Sequence, residues 1–149
     1  MKTVVVTGAL GFLGKPLRRE LLKNGFRVIG IDQKGEQDGT VVGIDLLAAT
    51  AREALRQLPR PDSVVHLAAL AHNQRPLPGQ TCLGVNTRMA GVVIEALCDK
   101  ATHFVFASSV AVYGEANRPR LIRPGVQTRK QLQVIYPKPK LLHVLLTSD

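Results

Sequence analysis

The residues with the clearest chemical potential lie near the start of the chain. The run Gly8-Ala9-Leu10-Gly11-Phe12-Leu13-Gly14 follows a β-branched apolar stretch and precedes a helical pattern. Glycines at this spacing permit a tight turn and let backbone N–H groups approach a diphosphate, whose charge the following helix N-terminus favours. Asp32 stands 18 residues beyond Gly14, at the end of the next apolar run. A carboxylate there accepts hydrogen bonds from the hydroxyls of an adenosine ribose. The pattern therefore reads as a site for NAD(H) or NADP(H). Asp32 repels a 2′-phosphate and so favours NAD(H), while the nearby Lys34 leaves NADP(H) open.

These residues need a scaffold of alternating strands and helices. Lys2–Thr7 reads as a strand buried on both faces. A helix follows with an apolar stripe of Leu13, Leu17, Leu21 and Leu22, stopping at Asn24-Gly25. Arg27–Ile31, Thr40–Ile44, Ser63–Leu67 and His103–Ala107 read as further strands. Ala48–Leu58 and about Leu83–Asp99 read as helices. This rhythm predicts an α/β fold, a Rossmann-type doubly wound parallel sheet in three αβα layers. Residues 114–135 read as an irregular basic loop, and a last helix is expected from near Tyr136 to Leu146.

The totals limit the alternatives. A chain of 149 residues suits one domain, here 1–149. The net charge of +9 resembles a nucleic-acid signal, but residues 1–117 carry 13 basic and 10 acidic side chains. Seven more basic residues and no acid fall in 118–140. The excess is thus one segment. With no recognised motif and 4% aromatics, binding of nucleic acid is not expected. No run approaches a membrane span. Cys82 and Cys98 form no Cys-x-x-Cys unit, which suits reduced thiols and a cytoplasmic protein. His66 and His103 flank buried strands and read as packed; His72 and His143 lack metal partners at useful spacing, so no metal is expected.

From Thr7 to Gly114 the chain resembles the NAD-dependent epimerase/dehydratase group of the extended short-chain dehydrogenases/reductases. The resemblance rests on several segments of this sequence. Thr7 to Gly14 is similar to the family's phosphate loop, and Asp45-Leu46 to its adenine-contacting pair. His66-Leu67-Ala68-Ala69 matches the end of the fourth strand beside the cofactor, and Asn86 a structural Asn that begins the next helix. Ser108-Ser109-Val110-Ala111-Val112-Tyr113-Gly114 is similar to the active-site strand end. Tyr136-Pro137-Lys138-Pro139-Lys140 fits the family's Tyr-x-x-x-Lys.

The resemblance implies a nucleotide-sugar oxidoreductase working by transient hydride transfer. It makes Tyr136 the general acid/base, Lys140 the group that lowers its pKa and holds the nicotinamide ribose, and Ser109 the partner of the reacting oxygen. A phenol titrating near 10 needs such a cation to act near neutrality. Cofactor contacts are implied for Gly8, Gly11, Phe12, Leu13, Gly14, Asp32, Asp45, Leu46, Leu67, Ala68, Ala69, Asn86, Tyr136 and Lys140. The prolines flanking Lys138 require Tyr136 to lie at or before the helix start.

Family members run to roughly twice this length, consistent with an added substrate domain. The expectation is therefore a chain truncated before the later strands, with His103–Ala107 exposed as an edge strand. Its sugar pocket would lack a far wall, and the isolated chain would be inactive. A dehydrogenase acting on a steroid-like or small carbonyl substrate and a non-catalytic NAD(H)-binding module are the alternatives. A homodimer also stays open.

Overall fold

The computed structural model describes residues 1–70, 81–109 and 142–147. Their strands are β1 (Thr3–Thr7), β2 (Arg27–Asp32), β3 (Val41–Gly43), β4 (Ser63–His66), β5 (His103–Ser109) and β6 (Leu142–Thr147). The helices are α1 (Gly14–Lys23), α2 (Ala51–Arg56) and α3 (Cys82–Leu97). The strands form one sheet in the order β3-β2-β1-β4-β5-β6, with every pair parallel. This is a doubly wound, Rossmann-type order, which reverses direction between β1 and β4.

The central strands are apolar because both of their faces are covered. All five residues of β1 are buried. Val5, Ile31, Val64 and Phe104 join Leu55 of α2 and Val93 and Leu97 of α3 in one core. On the opposite face, Gly30 of β2 looks toward Arg18 of α1. Helices therefore cover both faces, as the sequence rhythm predicts.

α1 ends at Asn24, and Gly25 takes φ +77° while its N–H donates to Leu22 O. Its expected apolar stripe is only partly realised: Leu17 and Leu21 are half-buried, whereas Leu13 and Leu22 are exposed. Arg18 is the more enclosed side chain, at 12% exposure.

Two expectations are corrected at the chain's end. In its described part, residues 142–147, the helix expected over Tyr136–Leu146 is instead strand β6. β6 pairs with β5 from Phe104↔Leu142 to Ser109↔Thr147, so β5 is not an edge and a further strand does follow it. Leucine is a good helix former, but pairing against an apolar neighbour overrides that weak preference.

Candidate functional site

At the carboxyl ends of the strands the chain forms an open cleft of about 360 Å³, within the size range of small-ligand sites. It sits where the strand order reverses, the position at which open α/β sheets bind ligands. Four loops and a helix meet there. Gly8, Leu10 and Gly11 come from the β1–α1 loop, and Asp32 and Gln33 from the end of β2. Asp45 and Leu46 follow β3, Leu67–Leu70 follow β4, and Val85 and Met89 project from α3.

The glycine loop is fixed by contacts that exclude side chains. Gly8 has φ +68°, and a Cβ on it would lie 2.8 Å from the Ala68 nitrogen. A Cβ on Gly14 would lie 2.1 Å from the Gly8 carbonyl oxygen. The Gly11 N–H donates to Gly8 O at 3.0 Å, and the Ala9 N–H to Ile31 O at 3.1 Å. The Phe12 and Leu13 amides find no backbone acceptor among the described residues. α1 has neither a side-chain cap nor an acidic residue in its first turn. Its N-terminal donors are thus left for an anion.

Asp32 closes the loop from the other side. Its Oδ2 accepts from the Leu10 N–H at 2.9 Å and its Oδ1 from the Gln33 N–H at 2.8 Å. Each carboxylate oxygen can accept a further bond, which suits ribose hydroxyls. Asp45 begins the turn into α2, its Oδ1 accepting from the Leu47 N–H at 2.9 Å.

β1 is tied to β4 at the cleft floor. The Thr7 hydroxyl lies 2.7 Å from His66 Nδ1 and accepts from the Ala68 N–H at 3.3 Å. The ring is 2% exposed and stacks on Phe106 at 5.7 Å. Burial pushes its pKa down to about 4. His66 is therefore packed, as expected, and neutral.

Asn86 lies one turn inside α3, and Thr81 caps the helix by accepting from the Gly84 N–H. The expectation that Asn86 begins this helix is corrected accordingly. Its Oδ1 accepts from the Leu70 N–H at 2.6 Å and its Nδ2 donates to Leu70 O at 3.1 Å. The side chain thus substitutes for a missing sheet neighbour just past β4. Asn86→Ala leaves both Leu70 backbone groups unpaired, and an unmade bond of this kind costs about 1–3 kcal/mol. Urea denaturation of the variant should show a loss of about 2 kcal/mol; an unchanged midpoint would deny the clamp.

The cleft thus gathers Gly8, Gly11, Asp32, Asp45, Leu46, Leu67, Ala68 and Ala69 of the expected cofactor residues. Gly14 sits behind the loop, Leu13 is half-exposed and Phe12 is 94% exposed. Ser109 ends β5, level with Thr147. Tyr136, Lys140 and the 114–135 loop lie outside the described residues. Sequence reading missed Ile31, Gln33, Ile44, Leu47, Leu70, Val85 and Met89 as cleft residues. Only the alternation of strand ends and loops could have suggested them. No set of three metal-ligating side chains occurs among the described residues. No helix among them is long and apolar enough to cross a membrane.

The family described as NAD dependent epimerase/dehydratase matches residues 4–138. The chain belongs to this family. Among its relatives, it is 32% identical over 140 residues to UDP-glucose 4-epimerase 4 of Oryza sativa subsp. japonica, covering 76% of this chain and 36% of that protein. It is 27% identical over 135 residues to UDP-glucose 4-epimerase of Caenorhabditis elegans, covering 74% of this chain and 39% of that one. Among solved structures, the UDP-glucose 4-epimerase of Thermus thermophilus in complex with NAD matches with a TM-score of 0.67 at 27% identity. That match covers 82% of this chain and 42% of the other. The chain therefore spans about two-fifths of the length of these family members. The family's cofactor is NAD, and the glycine cradle, uncapped α1 and Asp32 are residues that fit it.

Proposed function

We propose that this chain forms the NAD(H)-binding part of an epimerase/dehydratase acting on a nucleotide sugar by transient hydride transfer. The observation that carries the reading is the cradle at the mouth of α1, where Gly8 and Gly14 leave no room for a Cβ. The Phe12 and Leu13 amides hold the diphosphate there. Asp32 receives the adenosine ribose, Asp45 and Leu46 border the adenine, and Leu67–Ala69 line the way toward the nicotinamide. Asn86 acts through Leu70, which it clamps. The cofactor, when bound, supplies the hydride acceptor. Ser109 Oγ and Tyr136 Oη hold and move the proton of the reacting sugar hydroxyl, with Lys140 as the cation that eases ionisation of the phenol. A nucleotide sugar as substrate is supported by the UDP-sugar relatives, and domain limits of 1–149 and a cytoplasmic location belong to the same proposal.

A second reading, a non-catalytic NAD(H)-binding module, draws support from the register of β6. Leu142 stands beside Phe104, five residues down β5 from Ser109, on the order of 16 Å along a strand. Residues 142–147, where the resemblance implies the helix that carries Lys140, are strand instead.

Two measurements separate the readings. Calorimetric titration with NADH is expected to show one site per chain, and no binding overturns both readings. Incubation with NAD and UDP-glucose, followed by NMR for inversion at C4, selects the first reading where turnover appears and Tyr136→Phe abolishes it. NADH binding that Tyr136→Phe leaves unaffected, with no turnover, selects the second reading.

A further inference from the structure

We propose that Arg18 and Glu36 set the choice between the two nicotinamide dinucleotides, with Glu36 occupying the cation that a ribose 2′-phosphate would need. The inference rests on the dinucleotide reading above and concerns a pair outside the glycine loop and Asp32.

Arg18 is an unusual helix residue. It lies on α1, where charged side chains ordinarily point to water, yet its side chain is only 12% exposed. It passes over β2 at Gly30, where an added Cβ would come within 3.2 Å of Nε and 2.8 Å of Val41 Cγ2. Gly30 therefore opens the path. At its far end, Arg18 Nη2 donates to Glu36 Oε2 at 3.0 Å and to Thr40 Oγ1 at 2.9 Å. Nε is buried without a hydrogen-bond partner, so part of the guanidinium's donor capacity is unused.

The pair stands close to the ribose end of the cleft. Gly30 and Asp32 are two residues apart on β2 and so face the same side of the sheet, about 6–7 Å apart along it. Glu36, Asp38 and Thr40 belong to the loop that leaves Asp32. Thr40 supports the arrangement through its hydroxyl, which bonds Glu36 and Asp38 at 3.0 and 2.8 Å, and its carbonyl, which accepts from the Gly30 N–H. Asp38 is held below the usual carboxylate range chiefly by the Thr40 amide and hydroxyl, with Arg18 adding to the effect.

A phosphate on the ribose 2′ oxygen would meet Asp32, Glu36 and Asp38 on this stretch, while Arg18 is already neutralised. Arginine suits a phosphate because its fork of donors can engage two oxygens at once. Removing the Glu36 charge leaves Arg18 its place over Gly30 and frees that fork. Lys34, exposed on the same loop, has no comparable enclosure.

The test is fluorescence titration of the 149-residue chain with NADH and NADPH. Glu36→Gln is expected to tighten NADPH about tenfold and change NADH less than threefold. Arg18→Met added to Glu36→Gln is expected to remove the gain. Because the readout is a gain of binding, misfolding cannot imitate it. An unchanged NADPH-to-NADH ratio in Glu36→Gln, with NADH still bound, overturns this proposal alone. Failure of the unsubstituted chain to bind either dinucleotide overturns the underlying reading and this proposal with it.

Discussion

Gly14→Ala is expected to lose NADH affinity at least a hundredfold and to destabilise the chain by about 3 kcal/mol or more. The added methyl would sit 2.1 Å from the Gly8 carbonyl oxygen and 2.8 Å from both Ala9 Cα and the Ala9 carbonyl carbon. All three are backbone atoms, so no side chain can swing aside. The turn itself must open. Opening it breaks the 3.0 Å bond from the Gly11 N–H to Gly8 O and moves the amides that face the diphosphate. A hundredfold loss is about 2.8 kcal/mol, comparable to two good hydrogen bonds to a charged group.

Gly25→Ala is the internal control. Gly25 also has positive φ, at +77°, but nothing lies within 4 Å of its Cβ position. That substitution should cost about 1 kcal/mol or somewhat more in stability, and leave NADH affinity unchanged. Titration calorimetry and urea melts of both variants check the pair. If Gly14→Ala binds NADH like the unsubstituted chain, the cradle is not the cofactor site.

The part of the fold that was legible in the sequence is the part where local and tertiary demands agree. Thr3–Thr7 is β-branched because β1 is buried on both faces, and Asn24-Gly25 ends α1 because only glycine takes Gly25's φ at little cost. The run ending in Asp32 was readable for the same reason. Where contacts cross long stretches of chain, legibility failed. Thr7 and His66 are separated by 59 positions, and nothing in either neighbourhood announces their bond. Arg18 reads as a solvated helix residue until Gly30 and the loop after Asp32 are brought beside it. Leu142–Leu146 carries helix-forming leucines, and only its neighbour Phe104–Ser108 makes it a strand. Asn86 was found by type, but its place one turn into α3 depended on the Thr81 cap.

Acid should expose the cost of the buried imidazole. His66 keeps a pKa of about 4 in the folded chain because burial disfavours its charged form, against about 6.5 when unfolded. The sign follows from which state binds the proton. Above about pH 6.5 both states are neutral and the folded state is at full advantage. Between about pH 6.5 and 4 the unfolded chain takes up a proton that the folded chain refuses, so stability falls as pH falls. Below about 4 both states carry the proton and the slope vanishes. A shift from about 6.5 to about 4 corresponds to about 3 kcal/mol in total, and most of it, roughly 2–3 kcal/mol, is lost by about pH 4.5.

His66→Gln removes the titrating group while keeping an amide that can meet the Thr7 hydroxyl. Carboxylates titrate over the same range, but they do so in both proteins and cancel in the difference. Urea denaturation at about pH 7.5 and about pH 4.5 should therefore show the unsubstituted chain losing roughly 2–3 kcal/mol more than the variant. The direction also bears on the cleft, because protonated His66 carries hydrogen on both ring nitrogens and can only donate to Thr7. Thr7 is the hydroxyl that receives the Ala68 N–H beside Gly8, so NADH affinity should fall with stability in the unsubstituted chain as pH approaches about 4. Equal losses in the two proteins would mean that His66 titrates normally and that burial does not hold it neutral.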